Sequence, residues 1–167
     1  MDIQIRHLEA TDSQDLFDIY RRPSVSENTS QKPYLSSDQV DRLFGHSDHF
    51  TLVAESSEKV VGHITLFMTT KVRDRHSAGL GIAINPDVHG QGVGKALMQE
   101  AINQADNWLN LVRLELEVHA DNHAAIALYE RVGFQLEGTK RLSTFKNGKY
   151  IDMLLMSRIK PEYLATN

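Results

Sequence analysis

The 167-residue sequence contains no cysteine. This absence excludes disulfide bonds and thiolate zinc sites, and it means that no acyl group can rest on a cysteine of this chain during a reaction. The eight histidines are scattered, and no two of them share a predicted helix at the H-x-x-x-H or H-E-x-x-H spacing of zinc enzymes. We therefore predict that the protein has no catalytic metal.

The chain also lacks a large excess of one charge, because 18 Lys and Arg face 22 Asp and Glu, giving a net charge of −4 without a basic block. A nucleic-acid partner needs a dense positive surface, so none is expected. No apolar run approaches the roughly 20 residues of a membrane span, and the first residues lack the layout of a signal peptide. We expect a cytoplasmic protein with no membrane partner and, from its length, one domain.

Hydrophobic periodicity predicts the element order β-α-α-β-β-β-α-β-α-β-β, which suits a mixed sheet with helices on both faces. The first helix should run from Thr11 or Asp12 to Arg22 and stop at Pro23, before a long polar loop at 24–36. The remaining predictions are a second helix capped by Ser36 or Ser37, a hairpin of 50–56 and 59–70, a central strand at 77–84, a helix at 91–109, a strand at 112–119, a helix at 122–132, and a final hairpin around Asn147-Gly148. The residues after Pro161 should form a frayed tail.

The most informative segment is 85–96, NPDVHGQGVGKA, which joins an apolar strand to a periodic helix. Its glycines at 90, 92 and 94 allow several backbone N–H groups to converge at a helix N-terminus, which favours a phosphate or pyrophosphate. The spacing fails the dinucleotide fingerprint, and Ala96 stands where a nucleotide-triphosphate loop needs Ser or Thr. What remains is the pattern [Q/R]-x-x-G-x-[G/A], which cradles the pyrophosphate of coenzyme A, with His89 replacing its first residue.

A second segment, 121–134 (DNHAAIALYERVGF), follows a strand-like stretch and fills the pattern N-x-x-A-x-x-x-Y-x-x-x-G-F at Asn122, Ala125, Tyr129, Gly133 and Phe134. With both motifs in order, the chain resembles the GNAT superfamily, the GCN5-related N-acetyltransferases, from Ile3 to about Ile159. The stretches DNWL, EGT and NGKY resemble more narrowly the YhhY-like amino-acid N-acetyltransferases of that family.

The resemblance implies a single-domain GNAT-like α/β fold over 1–160, with a central mixed, mostly antiparallel sheet of about seven strands and a tail at 161–167. It implies acetyl-coenzyme A as cosubstrate, with Tyr129 as general acid and Asn122 binding the pantetheine arm. The residues expected to contact the coenzyme are Ile82, Ala83 and Ile84, whose strand N–H groups would hold the acetyl carbonyl, then His89, Gly90, Gln91, Gly92, Val93, Gly94, Lys95 and Ala96, and finally Asn122, Ala125 and Tyr129.

These residues also have ordinary structural explanations. The glycines could only form a tight turn, Asn122 could only cap a helix in competition with Asp121, and Tyr129 could be a core aromatic. If it is functional, the phenol of Tyr129 can protonate the sulfur that leaves when an amine attacks a thioester.

The general base is left open by the sequence, because the fourth strand lacks the glutamate that many family members carry. Glu117, His119, His63 and Glu55 are its alternatives, as is an ordered water. The arginines at 21, 22, 73 and 75 could each bind an acceptor carboxylate, or they could simply be surface charge.

The sequence thus predicts direct transfer of acetyl from acetyl-coenzyme A to a primary amine of a small molecule, an amino acid or a related amine. Two alternatives stay open: a protein N-terminal acetyltransferase of the ribosomal type, and a non-catalytic acyl-coenzyme A binding or regulatory module. A homodimer is also compatible with the resemblance.

Overall fold

The computed structural model describes residues 1–165. These residues form seven strands and six α-helices. The strands are β1 Gln4–His7, β2 His49–Ser56, β3 Lys59–Met68, β4 Ser77–Ile84, β5 Arg113–His119, β6 Gln135–Lys146 and β7 Lys149–Ile159. The helices are α1 Ser13–Tyr20, α2 Pro23–Asn28, α3 Ser37–Phe44, α4 Val93–Asn107, α5 His123–Arg131 and α6 Pro161–Leu164.

The strands form a single sheet in the order β1-β2-β3-β4-β5-β7-β6. Every neighbouring pair is antiparallel except β4 and β5, which run parallel. The predicted mixed, mostly antiparallel sheet of about seven strands is therefore confirmed. The strand that was expected to be central because it is apolar on both faces, β4, has a partner on each side.

Helices cover both faces of this sheet. On one face α4 and α5 bury Leu97, Met98 and Tyr129 against β2, β3, β4 and β5. On the other face α1 and α3 bury Ile19 and Val40 against Val53 and Ala83. The periodic apolar stripes of the helices produce this arrangement, because each helix must bury one side.

The N-terminal region differs from its prediction. The first helix ends at Tyr20 instead of reaching Arg22, and Pro23 is the first residue of α2. Proline fits this position because the first turn of a helix leaves its N–H groups unpaired anyway. The predicted loop 24–36 therefore contains a short helix, Pro23–Asn28, that the sequence pattern did not reveal.

The other predicted boundaries agree within a few residues. Ser36 caps α3 and shares a capping box with Gln39. Asn147 and Gly148 both have positive φ, as a two-residue hairpin turn requires, and they join β6 to β7. The predicted tail begins with the short helix α6, and residues 166 and 167 lie outside the described residues. Within residues 1–165, no helix is long and apolar enough to span a membrane.

Candidate active site

The sheet opens between its two parallel strands. The β4–β5 ladder pairs Ser77 with Arg113, Ala78 with Leu114 and Gly79 with Glu115, and it ends there. Beyond this point β4 stays paired to β3 and β5 stays paired to β7, so the two central strands diverge towards their carboxyl ends. The backbone of β4 that faces β5 is therefore unpaired around Ile82, where an external group can replace the missing neighbour.

A cavity of about 350 Å³ occupies this opening. Its lining includes Tyr129, which packs on the α4–α5 side of the sheet, and Tyr20, which packs on the α1–α3 side. Gly79 and Gly81 of β4 also line it and contribute no side chain that could fill the space. The cavity therefore crosses the sheet, with residues from both faces in its walls.

The glycine-containing loop follows β4 at the open end of this gap. Gly90 and Gly92 have φ of 75° and 87°, a conformation that side chains other than glycine rarely adopt, and open space surrounds both. Gly92 is the N-cap residue of α4 and provides no capping side chain. Ala96 donates its N–H to the Gly92 carbonyl, but within residues 1–165 no hydrogen bond uses the N–H groups of 90–95. Such a row of free donors at a helix N-terminus is an anion site.

The third glycine of the loop has a different environment. A Cβ on Gly94 would lie 2.9 Å from Cδ1 of Ile84 and 3.1 Å from Cδ2 of Leu128. Gly94 thus lets α4 pack closely on β4 and α5, in addition to offering its N–H to the anion site. The structure gives this glycine a packing role that the sequence spacing did not predict.

The side chains around the loop differ in their availability. Nε2 of His89 lies 3.3 Å from the Ile84 carbonyl oxygen, so the ring is turned back towards the end of β4. Gln91 approaches the Asp87 carbonyl, while Val93 is buried in the core. Lys95 is exposed and, in the part of the chain that the structure describes, makes no ion pair. Of these side chains, only Lys95 presents a free charge close to the row of N–H groups.

Asn122 follows β5 at the other side of the opening and lines the cavity. Its Oδ1 accepts a hydrogen bond from the N–H of Ala125 at 3.3 Å, so it caps α5 as the structural alternative predicted. Asp121 does not compete for this cap, because its carboxylate pairs with Lys146 at 3.0 Å. The side-chain nitrogen of Asn122, Nδ2, makes no hydrogen bond to the described residues, which leaves it available to a ligand.

Tyr129 lies on the buried side of α5, two turns after Asn122, and only 6 % of it is exposed. Burial raises the pKa of its phenol to about 12, so the group is protonated at neutral pH. Its ring packs against Phe134, and its hydroxyl makes no hydrogen bond within residues 1–165. A core tyrosine normally finds a partner for its hydroxyl, so this one is free to bond a group in the cavity that Tyr129 lines.

The opposite wall contains a buried polar chain. The Tyr20 hydroxyl lies 2.8 Å from Nε2 of His63, Nδ1 of His63 lies 3.4 Å from Oγ1 of Thr65, and Thr65 in turn contacts Thr51 at 2.9 Å. Desolvation lowers the pKa of His63 to about 3 and raises that of Tyr20. His63 is therefore neutral, and both its ring nitrogens already have partners.

Strand β5 presents Glu115, Glu117 and His119 on the cavity side, since residues two apart share one face of a strand. The carboxylate of Glu115 accepts from Arg113 at 2.9 Å. Glu117 pairs with Lys140, and His119 accepts from Lys146. All three residues line the cavity, and two of them, Glu117 and His119, are among the candidates for the general base that the sequence offered.

The remaining residues named from the sequence lie elsewhere. Glu55 pairs with Arg6 at 2.6 Å near the edge strand β1 and does not line the cavity. Arg22 pairs with Asp87 and Arg21 with Asp18, while Arg73 and Arg75 belong to the turn before β4. None of these four arginines lines the cavity.

Sequence reasoning missed several residues of the site. Asn28, Thr29, Ser30 and Gln31 line the cavity at the end of α2, and Phe67 covers Gly79 and Gly81 from β3. The polar segment 24–36 gave no periodic signal, so nothing marked its role. Within residues 1–165, no group of three or more His, Asp and Glu side chains could hold a metal ion.

Comparison with known proteins assigns the family. A family model described as Acetyltransferase (GNAT) family matches residues 13–134. The chain belongs to the GNAT family. It is 38 % identical to the L-amino acid N-acetyltransferase AaaT of Escherichia coli (strain K12) over 160 residues, which cover 95 % of this chain and 99 % of that protein.

Solved structures agree with this assignment. The spermidine N-acetyltransferase from Vibrio cholerae, in complex with CoA and spermine, is similar with a TM-score of 0.85 and 27 % identity, covering 97 % of this GNAT chain and 98 % of that one. A ribosomal-protein-alanine N-acetyltransferase from Brucella melitensis is similar with a TM-score of 0.84 and 26 % identity, covering 94 % of this chain and 99 % of that one. The fold, the enzyme class and acetyl-coenzyme A as the cosubstrate of this GNAT enzyme, all predicted from the sequence, are confirmed.

Proposed function

We propose that this GNAT enzyme acetylates the primary amine of an amino acid or a closely related small amine. The observation that carries the proposal is the free hydroxyl of Tyr129 in a cavity between β4 and β5, together with a row of unpaired N–H groups at the start of α4. A cavity of about 350 Å³ lies within the size range of small-molecule sites. The relative at 38 % identity, named for L-amino acids, supports the same substrate class.

The coenzyme is assigned to the loop and to the gap between β4 and β5. The N–H groups from Gly90 to Lys95 are available for its pyrophosphate, and Lys95 adds a positive charge. The side-chain Nδ2 of Asn122 is available for the pantetheine arm, and the unpaired edge of β4 around Ile82–Ile84 for the acyl carbonyl. His89 contributes its backbone, since its ring is turned towards Ile84, and Ala96 marks where helical hydrogen bonding begins.

Tyr129 is assigned the role of general acid. Acetyl-coenzyme A, when bound, supplies an activated acyl thioester and a thiol leaving group. A phenol that burial keeps protonated can deliver its proton to the departing sulfur without competition from an internal hydrogen bond. The absence of such a competing bond supports catalysis over a purely structural role for the hydroxyl.

Glu117 is assigned the role of general base, which takes the proton of the attacking amine. Among the alternatives from the sequence, Glu55 lies away from the cavity, and the two nitrogens of His63 are already engaged by Tyr20 and Thr65. Glu117 lines the cavity from β5 with a carboxylate whose ion pair to Lys140 is at the surface, where such pairs are weak. The carboxylate of Glu117 can therefore leave Lys140 and pair with the ammonium group of the incoming substrate.

The end of α2 and the β6–β7 hairpin cover the side of the cavity where Glu117 lies, and this cover favours a small acceptor. The ammonium of Lys146, on β6, lies 3.1 Å from the Glu27 carbonyl oxygen and so joins the β6–β7 hairpin to α2. Residues 29–31 line the cavity directly beyond this contact. A protein N-terminus would have to enter past this cover, whereas an amino acid fits beneath it.

An acceptor screen tests the proposal. The protein is mixed with acetyl-coenzyme A and, separately, with the L-amino acids, polyamines, aminoglycosides, and peptides that begin with alanine, and free thiol is measured. We expect thiol release with amino acids. Release only with peptides would support the N-terminal acetyltransferase, and coenzyme binding without release from any amine would support the non-catalytic module.

A further inference from the structure

His119 is the last residue of β5 and is 2 % exposed, yet it lines the cavity of the active site. It lies opposite Met153 of β7 in the ladder, on the same side of the strand as Glu117. Its position at the open end of the gap puts an imidazole ring against the acceptor part of the cavity. A histidine buried in such a place needs hydrogen-bond partners for two ring nitrogens.

Lys146 determines which ring nitrogen carries the hydrogen. Its Nζ lies 3.1 Å from Nδ1 of His119, 3.0 Å from Oδ1 of Asp121 and 3.1 Å from the Glu27 carbonyl oxygen. An ammonium group has three hydrogens to donate and accepts none, so Nδ1 of His119 must be the acceptor. The hydrogen of the ring is then on Nε2.

The ring is held in this neutral form by its surroundings. Desolvation and the neighbouring charge of Lys146 lower the pKa of His119, and the opposing influences of Asp121 and of the Glu27 backbone are smaller. Because all three hydrogens of Lys146 are already bonded, the lysine cannot turn away without losing partners. His119 therefore presents Nε2 as a fixed N–H donor.

That donor has no partner. Nε2 of His119 is one of two buried side-chain polar atoms without a hydrogen bond within residues 1–165. Buried donors in native proteins are almost always paired, because leaving one unpaired costs free energy. Because His119 itself lines the substrate cavity, an unpaired donor on its ring is explained by a partner on the substrate.

We propose that Nε2–H of His119 donates a hydrogen bond to a carboxylate oxygen of the acceptor, so that the substrate is an amine that also carries a carboxylate. The inference rests on the proposed function and narrows its substrate class. A carboxylate accepts the stronger, charge-assisted bond. The second ammonium group of a polyamine is itself a donor and cannot pair with Nε2–H, so the same ring disfavours polyamines.

The spacing on β5 suits such a substrate. Glu117 precedes His119 by two residues, about 7 Å along the strand. The carboxylate of Glu117 can receive the amine while the ring of His119 receives the acid group. The strand thus presents a hydrogen-bond acceptor for the amine and a donor for the carboxylate, about 7 Å apart.

The test compares each L-amino acid that the enzyme acetylates with the amine formed by removing its carboxylate. We expect kcat/KM to be higher for the amino acid by about tenfold or more. His119→Phe should reduce this ratio to near one, because it lowers kcat/KM for the amino acid more than for the decarboxylated amine. His119→Gln, which retains an N–H donor and an acceptor for Lys146, should restore part of the preference.

Lys146→Met is an independent test. It frees the imidazole of His119 to change tautomer, and it should weaken the preference for the amino acid over the decarboxylated amine without removing His119. Coenzyme affinity and melting temperature of each variant control for folding. A wild-type ratio near one, or equal losses towards both substrates in His119→Phe, would overturn the inference. Acetylation of amines without acetylation of any amino acid would also overturn it while leaving acetyl transfer intact. No thiol release from any amine would instead remove the proposed function.

Discussion

Gly79 of β4 and Glu115 of β5 form the last pair of the only parallel ladder in the described sheet. One residue later the two strands have separated, and the cavity that crosses the sheet begins. A continued ladder would close this cavity, because paired strands lie only about 4.8 Å apart. The end of hydrogen bonding at this pair therefore opens the cavity that we assign to the two substrates.

The first prediction concerns Tyr129→Phe. This change keeps the ring and its packing on Phe134 but removes the hydroxyl. If the phenol protonates the departing thiolate, kcat should fall about 10²- to 10⁴-fold, with little change in KM for the coenzyme. Steady-state kinetics beside a melting curve measure both effects. Turnover close to wild type would remove Tyr129 from the mechanism.

The anion site is tested by the pair Gly92→Asp and Gly92→Asn. Both side chains have the same shape and share the strain of φ 87°, so their difference isolates charge. A carboxylate about 4 Å from a phosphate is repelled by about 4 kcal/mol at an effective dielectric constant of 20, roughly a thousandfold in Kd. Calorimetry should find weaker coenzyme binding in Gly92→Asp. Equal affinities in the two variants would refute the site.

Glu117→Gln should lower kcat because an amide cannot take the proton of the amine. The expected loss is about 10²- to 10⁴-fold, the usual contribution of a positioned base. Glu115→Gln is the matched control, since it removes a carboxylate from the same face of β5, two residues earlier. If the two variants have similar kcat, the proton leaves by another route, such as an ordered water.

His63 should make stability depend on pH. Its pKa is about 3 in the folded protein and 6.5 in the unfolded chain. Between these values the unfolded state binds a proton that the folded state does not, so this histidine lowers the free energy of unfolding as pH falls from 6.5 towards 3. The slope from this one residue is at most about 1.4 kcal/mol per pH unit.

Urea titrations at several pH values check this effect. His63→Gln should be less stable than wild type at neutral pH, where it loses native hydrogen bonds, but the difference should shrink as the solution becomes more acidic. The exposed residue His123 provides the control variant His123→Gln, which should keep the wild-type slope. A constant difference between His63→Gln and wild type would contradict the prediction.

Acetyl-coenzyme A should stabilise the fold, because its site combines a loop, a helix N-terminus and a strand edge that exist together only in the native state. Ligand at about 100 times its Kd adds about 2.7 kcal/mol to the free energy of unfolding. A melting curve with and without the coenzyme measures this, with Gly92→Asp as the control that should not respond. A wild-type melting temperature unaffected by millimolar coenzyme would contradict the assignment.

The sequence by itself determined the fold and located the two segments to which we assign the coenzyme. The glycines at 90 and 92 predict a loop that needs positive φ, and the 122–134 motif predicts a capped helix with Tyr129 on its inner side. These features are local, since each depends on residues within one loop or one helix. The apolar periods of β4 and α4 located the elements that hold them.

Only the tertiary structure decided the acceptor side. Tyr20 of α1 and His119 of β5 line the same cavity. Lys146 of β6 contacts His119 although β7 lies between their two strands. Hydrogen bonds between such distant residues leave no periodic trace in the sequence. Burial and a lysine 27 residues away lower the pKa of His119, so the state of this ring follows from the fold and not from any motif.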